Sequence, residues 1–194
     1  MIEIINIFYL WLFIFLMVGT PGPANLLIMS IGANNGVKKC MPFNFGLIGG
    51  KFLLNIGMAF GFIVILNDYK NIQLILKFVS ASYLIYLSLK NWNNENFSQD
   101  NYVSGFKEGL IVHPLNPKAW VMIIIAWTEF GPYFGNILNQ FLIISLSFVV
   151  FQLFLHSLWC YFGYILNRSL SNNKILNRTL ICITIIIVLW AVIL

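Results

Sequence analysis

Residues 19–25 read GTPGPAN, and they interrupt a run that is otherwise almost wholly apolar from residue 4 to residue 30. A proline within a helix removes a backbone donor and collides with the carbonyl four residues earlier. Pro21 and Pro23 therefore disturb the carbonyls of Met17 and Gly19. In hydrocarbon, freed carbonyls need other partners, and broken backbone is tolerated only where protein or a wet cavity covers it. Residues 24–31 would form a second half-helix after the break. Its free N–H groups, together with Asn25, could hold a carboxylate. A plain proline kink is the simpler alternative.

The composition sets the medium. Of 194 residues, 60% are hydrophobic and 9% charged, against about 25% charged in a soluble domain. Six apolar runs are long enough to cross a bilayer: 4–30, 43–66, 71–89, 118–134, 141–166 and 175–194. The linkers between them leave no room for a further domain. The expectation is an all-α integral membrane protein, one domain over residues 1–194 with six transmembrane helices, the first broken at Pro21-Gly22-Pro23. The early apolar run has only Glu3 before it and no basic leader, so it reads as a first span rather than a signal peptide. A net charge of +5, scattered along the chain, does not suggest nucleic-acid binding.

Those charges make sense as topology signals. Lys38, Lys39, Lys90, Lys107, Lys118, Arg168, Lys174 and Arg178 fall on one side of the expected spans, and Lys70 on the other. The basic side faces the cytoplasm, which places both termini outside. Residues 91–101, NWNNENFSQDN, read as a polar loop, and the stretch from Gly105 to His113 as either a short interfacial helix or more loop. Gly46, Gly50, Gly57 and Gly61 fall on nearly one helical face, where small residues let helices approach closely. That contact could lie within one chain or across a homodimer.

Residues 113–120, HPLNPKAW, make a second interruption. Asn116 suits an N-cap and Pro117 a first helical turn. The pair can be read as a capped helix start or as part of a site with Lys118. Buried charges are expensive in a membrane and usually face a cavity or a partner. Lys51 sits well inside its span. Lys77 and Glu129 lie at similar depth near the outer end and could pair as an outer gate. His156 lies near the expected depth of the first break, and is either a proton acceptor or a neutral core histidine. Cys40, Cys160 and Cys182 have no disulfide or metal spacing. There is no paired-carboxylate, HExxH or Ser-His-Asp set, so neither a catalytic site nor a cofactor is expected.

Pro21-Gly22-Pro23, followed by Gly36, Gly46 and Gly50, and Phe106, Gly109 and Asn116-Pro117-Lys118-Ala119 form two blocks. In order and separation they resemble the LysE/RhtB family of amino-acid exporters. The resemblance implies a secondary transporter in the bacterial inner membrane, moving an amino acid or close derivative out of the cytoplasm. It implies drive from the proton gradient or the membrane potential. It also implies substrate contacts around Pro21, Gly22, Pro23, Asn25, Lys51, Asn116, Pro117 and Lys118, with Glu129, Lys77 and His156 as coupling or gating residues. The chain departs from the family pattern at Cys40, Lys51 and Thr128-Glu129. The rival reading is a non-enzymatic assembly protein or a passive pore for small solutes.

Overall fold

A computed structural model describes residues 2–61, 70–90, 105–169 and 173–193. Among them the secondary structure is entirely helical: α1 (Ile2–Gly19), α2 (Pro23–Ala59), α3 (Lys70–Lys90), α4 (Phe106–Val112), α5 (Pro117–Ile125), α6 (Ile137–Ser169) and α7 (Asn173–Ile193). α5 runs on into a π-helical turn, Ala126–Phe130, and a 3-10 turn, Gly131–Phe134. The polar loop expected at 91–101 and the outer end of the second apolar run lie outside the described residues.

Helices satisfy their own backbone groups, which is what a hydrocarbon medium requires. α6 is 33 residues long, holds an 18-residue stretch with a mean hydropathy of 2.1, and can cross a bilayer by itself. Two bent pairs can each do so as a joined span: α1 with α2, bent by 57°, and α4 with the helix after it, bent by 62°. By length and composition alone, between one and three stretches of the described residues qualify as spans, against six apolar runs in the sequence. Phe8, Phe15, Leu146, Val150 and Phe154 point outward. A helix that is apolar all round in this way fits a lipid surround.

α2 is not one straight rod. Gly36 has φ 78° and ψ 167°, a conformation open to glycine and breaking the helix there. Cys40 Sγ donates to the carbonyl of Ile28 at 3.5 Å, although twelve residues of straight helix would span about 18 Å. The chain therefore doubles back at Gly36, and α2 is a hairpin of two limbs. Lys38 and Lys39 were expected in a loop; they are helical and exposed, just past a one-residue reversal.

The first limb packs on α6. Gly32 lies against the backbone of Cys160, and Gly163 against the carbonyl of Met29. The second limb crosses α4, where Gly46 and Gly109 meet, their Cα positions leaving no room for a side chain on either. The glycine face read from the sequence is thus divided. Gly46 and Gly50 press on α4, while Gly61 lies in open space with φ 77°. The Gly105–His113 stretch, read as helix or loop, is helical over Phe106–Val112 and forms the other half of this crossing. Gly109→Ala would put a methyl group against the backbone of Phe43 and Leu47. The expected loss is about 2 kcal/mol, seen as a lower thermal midpoint of the detergent-purified protein.

Candidate functional site

At the first break α1 ends on Gly19, and the next residues include two prolines with no N–H. The carbonyls left over all find side-chain donors. Asn25 Nδ2 donates to the carbonyls of Val18 at 2.7 Å and Thr20 at 2.9 Å. Trp159 Nε1 donates to Gly19 at 3.3 Å. Lys118 Nζ donates to the Thr20 carbonyl and hydroxyl, both at 2.8 Å, and to the Pro21 carbonyl at 3.3 Å. A cation at the C-terminal end of a helix also meets the negative end of its dipole. So Asn25 and Lys118, expected to face a substrate, are turned in this state toward the broken backbone.

The second break supplies that lysine. α4 stops at Val112, and α5 starts with Pro117 in its first turn. Asn116 caps α5, its Oδ1 accepting from the N–H of Lys118 at 3.1 Å. Trp120 Nε1 reaches back to the carbonyl of Pro114 at 2.9 Å and fixes the turn. This geometry lets the Lys118 side chain span the gap to α1. A Cβ on Gly22 would sit 3.1 Å from Lys118 Cδ, so the small residue leaves a path for the ammonium.

Between the breaks lies a cavity of about 10 Å³, roughly the space one water needs. The first break contributes Gly22 and Asn25, the second His113, Asn116 and Lys118, and α6 contributes Gln152 and His156. His113 and His156 stack with ring centroids 5.7 Å apart. Gln152 Nε2 lies 2.9 Å from His113 Nε2. His113, Gln152 and His156 are at most 2% exposed. His113 Nδ1, Gln152 Oε1 and His156 Nδ1 nevertheless have no hydrogen-bond partner among the described residues. Buried polar groups are ordinarily paired, and three unpaired ones around one cavity point to a ligand or water.

Lys51 is fully buried beside this group rather than lining the cavity. Its ammonium donates to the Ala119 carbonyl at 3.3 Å and lies 4.8 Å from the centre of the Phe148 ring. Asn55 and Trp127 continue the buried polar line, Trp127 Nε1 donating to Asn55 Oδ1 at 2.9 Å. Lys51 and Lys118 lie within electrostatic reach of each other and of both histidines.

The structure thus gathers Pro21, Gly22, Pro23, Asn25, Asn116, Pro117, Lys118 and His156 around one place. Glu129 stands apart, in the π-helical turn, on an open cleft of about 590 Å³ shared with Asn6, Tyr9 and Tyr133. The Lys77 side chain lies outside the described residues, and with it the expected Lys77–Glu129 pair. His113 and Gln152 were not singled out from the sequence. The signals were there: His113 immediately precedes Pro114 in the second break, and Gln152 is four residues before His156, one turn along the same helical face.

No curated protein and no solved structure matches the chain. The family model described as LysE type translocator matches residues 14–194. That match takes in both breaks and every residue lining the cavity between them, and the chain belongs to the LysE type translocator family.

Proposed function

We propose that the protein is a secondary transporter, not an enzyme, that exports an amino acid or close derivative from the cytoplasm across the bacterial inner membrane. Six spans with both termini outside complete the reading, and the proton gradient or membrane potential drives it. Family membership supports it at the level of a translocator of amino acids or related compounds. The observation that carries it further is the meeting of two broken helices at a small cavity whose wall includes the buried polar side chains of His113, Gln152 and His156. Broken helices at membrane depth supply the free backbone and polar groups from which transporters build binding sites.

Substrate would enter between the first and fourth spans. Its carboxylate competes for Lys118 with the Thr20 carbonyl, the Thr20 hydroxyl and the Pro21 carbonyl, which occupy the three ammonium donors. Taking Lys118 away unfastens α1 from α5, so binding and opening become one event. His156, on the cavity wall, is the candidate to carry a coupling proton, and Glu129 with Lys77 the candidate outer gate.

Dipeptide feeding tests this. Bacteria with and without the protein hydrolyse the dipeptide inside, and the released amino acid is followed in the medium. Faster excretion of an amino acid, stopped by a protonophore, is the expected result. No excretion despite confirmed membrane insertion would retire the exporter reading. Excretion indifferent to the protonophore would favour a passive pore.

A further inference from the structure

We infer that the cavity, widened once Lys118 leaves Thr20 and Pro21, takes the head group of an amino acid whose side chain carries no positive charge, with His113 and Gln152 as ligand-binding residues. The inference rests on the exporter reading and narrows its substrate class.

The hydrogen-bonding part does not depend on how the amide is oriented. With Gln152 Nε2 donating to His113 Nε2, the neutral imidazole carries its proton on Nδ1. The pair then leaves a donor, His113 Nδ1–H, and an acceptor, Gln152 Oε1, without partners. With the amide reversed, Gln152 keeps free donors and His113 Nδ1 becomes the free acceptor. Either way one buried donor and one buried acceptor remain open at the cavity wall. A zwitterionic head group brings the complement of both: a carboxylate for the donor and an ammonium for the acceptor.

The charge distribution selects the side chain. Among the described residues Lys51 and Lys118 have only neutral partners: a carbonyl and a ring for the first, two carbonyls and a hydroxyl for the second. Among the described residues no carboxylate lines the cavity. Glu108 is turned to its own helix start, accepting from Gly105 N–H at 2.9 Å, and Glu129 lies on the outer cleft. A carboxylate ligand meets two uncompensated cations there. A lysine or arginine side chain would add a further cation with nothing acidic among the described residues to receive it, and like charges at short range in a poorly screened site repel strongly.

The test is a panel of dipeptides releasing leucine, threonine, glutamate, lysine or arginine in cells with the protein. Excretion of lysine and arginine is expected to be slower than that of the best uncharged amino acid by about ten-fold or more. Gln152→Glu adds a carboxylate to the wall and should raise the lysine-to-leucine excretion ratio by a similar factor. His156→Glu serves where that variant does not insert. Lysine or arginine excreted as fast as leucine, or a ratio unmoved by the added carboxylate, would overturn the inference while leaving export intact. Thermal unfolding of the purified full-length protein separates the two ideas further. A midpoint raised by leucine but not by lysine, without any excretion, would remove export and keep the ligand class. A midpoint raised equally by lysine, or by neither, would remove the ligand class.

Discussion

Lys51→Met is expected to make the protein more stable and to slow export by about 100-fold or more. The Lys51 ammonium is fully buried. Its three donors have one carbonyl, at a long 3.3 Å, and the face of Phe148. A charge at the centre of a membrane helix costs about 2.5 to 3.5 kcal/mol on insertion scales. Methionine has nearly the same length, flexibility and volume without that charge. Removing the charge should therefore raise the thermal midpoint, in line with a gain of about 1–3 kcal/mol. What the charge adds is positive potential beside the cavity, within reach of Lys118 and both histidines. The check is the midpoint in detergent alongside excretion of the transported amino acid. A variant that lost stability and kept its export rate would mean that Lys51 is a packing residue.

Asn25→Leu should do the opposite to stability and also stop export. The leucine fills the same space but donates nothing. The carbonyl of Val18 loses its 2.7 Å bond, and that of Thr20 keeps only Lys118. Asn25 is only 4% exposed, so water cannot easily step in. An unpaired buried carbonyl and two lost hydrogen bonds together come to about 3 kcal/mol. The expected readout is a clearly lower thermal midpoint, with α1 no longer held at its angle to α2. An unchanged midpoint would show that the first break does not depend on Asn25.

The contrast between these two residues shows what was legible beforehand. The break at Pro21 and Pro23 is a local matter, since a missing N–H and a ring clash need no tertiary context. The Asn116 cap and the Pro117 start of α5 are local in the same sense, and both are seen. The reversal at Gly36 was placed as a loop around Lys38 and Lys39. A glycine with φ 78° turns the chain in a single residue, so the helix resumes before those lysines. Asn34-Asn35-Gly36 carried the turn signal.

Partner identity was beyond reach. Asn25 and Lys118 both lie at a break, but the groups they touch depend on a bend of 57° and on a contact across ninety-eight positions. His113 and Gln152 are thirty-nine residues apart. Only the rotation of α6 about its own axis brings them together, and side-chain patterning leaves that rotation open when most faces of a helix are apolar.

The most direct test of the central claim is where the carboxylate of a transported amino acid sits. Solid-state NMR dipolar recoupling measures this between a ¹³C-labelled carboxylate and ¹⁵Nζ-labelled lysines of the full-length protein in lipid. The account predicts a coupling that corresponds to ion-pair distance, about 4 Å or slightly more, and that disappears in Lys118→Arg while the ligand stays bound. A bound amino acid whose carboxylate couples to no lysine, or whose coupling survives Lys118→Arg unchanged, would contradict the claim that the two broken helices meet at the substrate site.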